Sequence, residues 1–325
     1  MTGSPDFDDH VLSLCLARIS EAGALASAGL IGRGDEDAAD AAAASAMQRA
    51  LNNMGMDGRI VIGEGEEGEA DILFTGERVG NGQGPKVDVA LDPLEGRTLA
   101  AKNMPNALAV VAMAPAGSML RVPDIYMDKL AIGPGLPPGL VTLDMPPAER
   151  IAALAGARGC AAGDLTVCVL DRPRHEELIA EIRATGARVR LISDGDVAGV
   201  IHAAEPEKTG IDMYMGLGGA PEGVLAAAAL KCLGGQMQGR LMIRSRDDAT
   251  RARQAGITEP ERVFDLADMV PGDVIFAATG VTDGALVRGV RRKAGQLRAE
   301  TLLLRSSTGS IRRIHYRRAI RDGAA

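Results

Sequence analysis

A chain of 325 residues, 46% hydrophobic and 24% charged, has the length for one large core or two packed lobes and the composition of a soluble globular protein. A formal net charge of −7 with no tryptophan and only 2% aromatic residues excludes a sequence-independent grip on nucleic acid, which needs clustered cations and stacking faces. No apolar run has membrane length and the opening MTGSPDFDD is polar and acidic, so neither a membrane protein nor a secreted one is expected. Cys15, Cys160, Cys168 and Cys232 are isolated and lack CxxC pairing, which suits buried thiols in a reducing compartment, the cytoplasm.

After Asp9, Val11, Leu14, Leu16, Ile19 and Leu25 recur at helical intervals up to Gly29, and a second, alanine-rich helix follows with Asp40 in its early turns. Arg59 to Ile62 reads as a strand that breaks into the glycine and glutamate turn GEGEEGE. KVDVALDPLEG reads as another strand, stopped by Pro93, with a short helix opening at Gly96, Arg97 and Thr98. Further apolar runs stand at NALAVVAMA and KLAIG, and GPGLPPGLVTLDMPP predicts a connection between an N-terminal lobe over 1–145 and a C-terminal lobe over 146–325. Beyond it, strand, loop and helix alternate in DLTVCVLDRPRHEELIAEIRATG, ARVRLISDGDVAGVIHAA and IDMYMGLGGAPEGVLAAAALKCLGG. DVIFAATGV and a hairpin turning at Thr308-Gly309 complete an α/β chain whose ligands are expected at the carboxyl ends of strands.

The acids sit at those ends. Asp92 and Glu95 bracket Pro93-Leu94, so two carboxylates and the Leu94 carbonyl are presented together as oxygen donors suited to a hard divalent cation, Mg2+ or Mn2+. Glu64 lies in a glycine-rich turn, which lets the backbone approach an ion closely. Each acid also has a plainer reading. Asp40 is an ordinary exposed helix residue, Glu64 part of a solvated loop, and Glu222 a favourable acid at a helix start behind Pro221. Brought together, such acids would repel unless cations compensated them. Two metals held this way would polarise a phosphoryl group, lower the pKa of a bound water and stabilise the departing oxygen. The backbone N–H groups of Gly96, Arg97 and Thr98 would suit a phosphate.

GRGDEDAAD, IVIGEGE, VDVALDPLEG, MPNALAV, DIYMDKLAIGPG, DRPRH, DGDVAG and GGAPEGVLAAAALKC, in this order, resemble class II fructose-1,6-bisphosphatase. That family lies in the lithium-sensitive, metal-dependent superfamily that also holds inositol monophosphatases. The resemblance runs from about Gly32 to Tyr316. It implies a layered α/β/α/β/α sandwich, a homo-oligomer, and hydrolysis of the 1-phosphate of fructose 1,6-bisphosphate in gluconeogenesis or the Calvin cycle, with sedoheptulose 1,7-bisphosphate accepted by some relatives. By position it makes Asp40, Glu64, Asp92, Glu95 and Glu222 the metal and catalytic carboxylates, with the Leu94 carbonyl among the ligands. It makes Tyr126, Arg172, Arg174, Asp194 and Asp196 contacts to the sugar and distal phosphate, with Gly218 and Gly219 beside them. Arginine forks suit phosphate and carboxylates suit sugar hydroxyls, although DRPRH and SDGD also read as a helix start and a turn.

Two positions depart from the pattern. Glu36 stands where the family commonly has lysine. Arg97 stands where the family has the threonine that positions the attacking water, and Thr98 follows one place later, rotated by about 100° if helical. Because arginine stays protonated it cannot serve as the base, so metal and phosphate binding are expected to survive with turnover depressed. The alternatives are a phosphatase for another monoester, such as an inositol phosphate, and a non-catalytic sugar-phosphate sensor.

Overall fold

The structure is a computed structural model that describes residues 10–320; the polar opening, residues 1–9, lies outside the described residues. In chain order it starts with α1 (His10–Ser27), α2 (Glu36–Asn52), β1 (Asp57–Ile62), β2 (Arg78–Val79), β3 (Lys86–Glu95), α3 (Arg97–Ala101) and β4 (Leu108–Pro115). Next come β5 (Tyr126–Ile132), α4 (Pro147–Arg158), β6 (Thr166–Leu170), α5 (Glu176–Ala184), β7 (Arg188–Ile192), α6 (Asp196–His202) and α7 (Pro206–Thr209). They are followed by β8 (Met213–Gly219), α8 (Ala220–Leu233), β9 (Gln236–Leu241), α9 (Arg246–Gln254), β10 (Val263–Asp265) and α10 (Leu266–Met269). Four strands close the chain, β11 (Ile275–Gly280), β12 (Arg291–Lys293), β13 (Gln296–Arg305) and β14 (Ser310–Ala319).

The chain forms two compact units, one of residues up to Ser118 together with those from Gly272 on, the other Met119–Pro271. It therefore does not change over once near residue 145. The reason is strand pairing: β11 runs antiparallel to β4, from Ile275 opposite Met113 to Gly280 opposite Leu108, so the C-terminal strands complete the first sheet. The expected hairpin is present, with β13 and β14 paired along their full length.

In the first unit the sheet order is β12-β13-β11-β4-β3-β1-β2, with β14 on β13. Leu16 and Ile19 of α1 and Met47 and Leu51 of α2 bury against Ile60, Leu91, Val111 and Leu303 of the sheet. Leu14 has the apolar spacing of that face but is 59% exposed, and the Val11 side chain lies outside the described residues. Asp35 caps α2 by accepting from the Ala38 N–H, and Glu36 and Asp37 occupy the first turn, where acids complement the helix dipole.

Pro93 does not end its strand. β3 continues to Glu95 through an irregularity in which three steps on β3, Asp92 to Glu95, face two on β4, Val110 to Leu108. A bulge accommodates the missing proline donor while keeping the pairing on either side.

The second unit has the order β10-β9-β5-β8-β6-β7. β6 pairs in parallel with β7 and β8, whereas β5 is antiparallel to β8 and β9. Val167, Val169, Met213 and Met215 pack with Ile151, Leu154, Ile179 and Ile182 of α4 and α5. Residues of the other parity face α6, where a side chain at Gly199 would meet the Tyr214 ring at 3.1 Å. Each unit is thus a mixed sheet with helices packed on it, the α/β class expected. No described helix is long and apolar enough to cross a membrane.

Candidate functional site

In the first unit, α2, the turn after β1 and the end of β3 bring their acids toward one residue. Arg97, first in α3, places Nε 3.2 Å from Asp40 Oδ1 and Nη2 2.9 Å from Glu64 Oε2. The two acids lie near enough to act on each other, Glu64 drawing the pKa of Asp40 down. Burial opposes the charge on Arg97, but Glu64, then Asp40, Asp92 and Asp37 outweigh it and raise the guanidinium's pKa. Asp40 itself is raised, chiefly by burial, with repulsion from Asp37 adding to it and Glu64 and Arg97 pulling it back. Side-chain exposure is 10% for Asp40 and 12% for Glu64 against 44% for Arg97, so water solvates the arginine far better than the acids.

Local backbone features set this geometry. A side chain at Gly63 would meet the Leu73 carbonyl oxygen at 1.9 Å, so glycine is needed where the Glu64 loop crosses that segment. Leu94 donates its N–H to Asp92 Oδ1 at 3.0 Å, fixing the bulge, and Glu95 is buried. Gly96, at φ 84°, turns the chain from β3 into α3. Thr98 does not join Arg97 at the acids; its Oγ1 donates to Glu36 Oε2 at 3.1 Å.

Among the described residues no three acids stand close enough to hold a metal by themselves. Asp40 and Glu64 nevertheless converge on a cation, the Arg97 guanidinium. Their donors are hard carboxylate oxygens, of the kind that a hard divalent cation takes.

In the second unit the predicted residues gather at the carboxyl end of the parallel strands. Tyr126 opens β5 opposite Gly219, the last residue of β8. The guanidinium carbons of Arg174 and Arg244 lie 4.8 and 4.9 Å from the Tyr126 ring centre, an arrangement in which the ring stabilises two cations that would otherwise repel. Arg174 is further fixed by donating from Nη2 to the Leu217 carbonyl at 2.9 Å. Arg172 instead bonds the Asp171 carbonyl through Nη1 at 3.1 Å. Asp194 lies half-buried in the loop between β7 and α6.

Asp196, at the start of α6, faces inward. It is 6% exposed and its Oδ2 lies 2.5 Å from Lys129 Nζ, which also donates to the Gly219 carbonyl at 2.7 Å. Glu222 stands in the first turn of α8, and its Oε2 is buried with no hydrogen-bond partner among the described residues. Burial, joined by repulsion from Asp196, pushes its carboxyl up to about 7, with Lys129 acting in the opposite direction. A side chain at Gly218 would meet Asp196 Oδ2 at 1.9 Å and one at Gly219 would meet Glu222 Oε2 at 1.8 Å, so either would push a carboxylate out of its present position.

Three residues of this region escaped the sequence reading. Lys129 is buried in β5, and a lysine inside the apolar run DKLAIG was the signal, because a buried ammonium needs acidic company. His175 closes DRPRH. Its Nδ1 lies 2.8 Å from the Leu170 carbonyl and its Nε2 accepts the Leu217 N–H at 2.8 Å. Those partners define the neutral Nδ1–H tautomer, and burial lowers the ring's pKa accordingly. Arg244 had no sequence signal; only the fold brings it to Tyr126.

Comparison with known proteins agrees along nearly the whole chain. The sequence profile of the family described as bacterial fructose-1,6-bisphosphatase, glpX-encoded, matches residues 10–318. The chain is 43% identical over 322 residues to fructose-1,6-bisphosphatase 1 class 2 of Escherichia coli K12, covering 94% of this chain and 95% of that protein. The same identity and coverage hold for the class 2 fructose-1,6-bisphosphatases of Escherichia coli O6:H1 and Shigella flexneri.

Proposed function

The chain belongs to the bacterial, glpX-encoded fructose-1,6-bisphosphatase family, and from that membership we propose that it hydrolyses the 1-phosphate of fructose 1,6-bisphosphate to fructose 6-phosphate and inorganic phosphate. The observation that carries the reading is the match over 94% of the chain at 43% identity. The acid cluster on Arg97 and the paired arginines on Tyr126 support it. The cytoplasm is the proposed compartment, in keeping with four free cysteines, and a homo-oligomer the proposed assembly.

In the reaction the phosphorus–oxygen bond to the sugar breaks, water supplies the new oxygen on phosphorus, and the sugar oxygen leaves as a hydroxyl. Asp40 and Glu64, gathered on Arg97, are proposed to align that water and take its proton, Asp40 being the stronger base for its raised pKa. Asp40, Glu64, Asp92, Glu95 and the Leu94 carbonyl would hold Mg2+ or Mn2+; Glu222, in the second unit, is a candidate ligand taken by itself. When bound, such an ion supplies Lewis-acid polarisation of the phosphoryl group. Arg174 and Arg244 present guanidinium forks of the kind that bind a phosphate bidentately, and Tyr126 keeps them together.

Phosphate release from fructose 1,6-bisphosphate is expected with Mn2+ and is expected to vanish with EDTA, with sedoheptulose 1,7-bisphosphate and an inositol phosphate assayed alongside. Release from the inositol phosphate alone would overturn the assignment. Arg244→Ala is expected to raise KM for the bisphosphate about tenfold while changing kcat much less, the pattern of a lost binding contact. A second reading, a sugar-phosphate sensor without turnover, draws on the engagement of Asp40 and Glu64 by Arg97. Ligand binding without phosphate release would favour it.

A further inference from the structure

Glu36 and Arg97 belong to one construction. Glu36, in the first turn of α2, accepts from Thr98 at 3.1 Å and so anchors the opening turn of α3. Successive helical residues point about 100° apart, so with Thr98 tethered to Glu36 the neighbouring Arg97 is left facing Asp40 and Glu64. It contacts them at 3.2 and 2.9 Å. Two carboxylates gathered on one guanidinium and mostly out of water need a proton or a cation between them. A guanidinium supplies the cation with donors in a fork that matches two carboxylate oxygens. Its own side chain is 44% exposed, so it can leave toward solvent without crossing the core, whereas the acids cannot escape by solvation.

We propose that Arg97 is a built-in counter-ion of the Asp40–Glu64 pair, which a divalent ion must displace before it can use those carboxylates. The inference rests on the metal-dependent reading above and adds the direct competitor. The protein without metal is then already charge-compensated at this pair, and the ion's affinity is lowered by the work of moving Arg97. Chemically the step is an exchange of one cation for another, with no covalent bond made or broken.

The test is a Mn2+ titration of the full-length protein, read by the loss of the free-ion electron paramagnetic resonance signal and by calorimetry. Wild type is compared with Arg97→Thr, Arg97→Met and the charge-conserving Arg97→Lys. Removing the competitor in Arg97→Thr or Arg97→Met is expected to tighten Mn2+ binding about 10- to 100-fold, with Arg97→Lys in between. Without Mn2+, Arg97→Thr and Arg97→Met are expected to melt at a lower temperature than wild type and to recover most of the difference when Mn2+ is added. Unchanged or weaker Mn2+ binding in both neutral variants would overturn the proposal, and a folded Arg97→Lys keeps the comparison usable if a neutral variant does not fold. Phosphate release measured on the same samples separates the two ideas. Tighter Mn2+ binding without any turnover would count against the phosphatase reading alone, and ordinary turnover with equal Mn2+ affinities against the competition alone.

Discussion

Replacing Lys129 by methionine should lower the unfolding free energy by about 3–5 kcal/mol, the usual cost of removing one partner of a buried ion pair. The side chain is 1% exposed, and its ammonium touches both the Asp196 carboxylate and the Gly219 carbonyl. Methionine fills similar volume but leaves both acceptors without their donor. Glu222 sharpens the prediction. Its carboxyl, raised to about 7 chiefly by burial, loses the ammonium that lowers it and moves higher. A carboxyl raised above its unfolded value of 4.5 favours the folded state at low pH, and that benefit is lost as pH rises through the folded pKa. The deficit of Lys129→Met should therefore be larger at about pH 9 than at about pH 5. Urea unfolding at the two values checks it, and equal deficits would show that Glu222 does not sense Lys129. Pairing Lys129→Met with Asp196→Asn should recover part of the loss, because the two residues act as one unit.

Acid should weaken the second unit through His202. The ring is 5% exposed, its nitrogens have no hydrogen-bond partner among the described residues, and burial, with Lys208 and Arg190 adding repulsion, lowers its pKa to about 4. Above its ordinary value of 6.5 the ring is neutral folded or unfolded and costs nothing. As pH falls below that value the unfolded chain takes up the proton first, and the loss continues down to the folded pKa, reaching roughly 3 kcal/mol. His202→Leu removes the group without stranding a partner. Between about pH 7.5 and pH 4.5 wild type should lose roughly 2–3 kcal/mol more than this variant. His175, also lowered by burial, acts in the same direction in both proteins, so the difference isolates His202. Parallel losses in the two proteins would overturn the assignment.

The candidate site residues were legible where they obey local rules. Acids and glycines at the ends of apolar runs pointed to Asp92, Glu95 and Glu64, whereas Glu222 by itself read as a helix-start acid and Gly218 and Gly219 came only with the family resemblance; the alternation of strand and helix announced the α/β class. Pro93 misled, since a missing donor is compatible with a bulge as well as with a stop. The division into units misled as well, because the partner of β4 lies beyond the whole second unit.

What the sequence alone determined is the kind of donor that a site could draw on, hard oxygens at strand ends, because residue type and local backbone preference are properties of short segments. Which charges meet was decided only by the tertiary structure. Arg97 finds Glu64 across 33 positions, Thr98 finds Glu36 across 62, and Lys129 finds Asp196 across 67. Electrostatic compensation depends on distance in space, and folding, through the burial of the two cores, sets that distance.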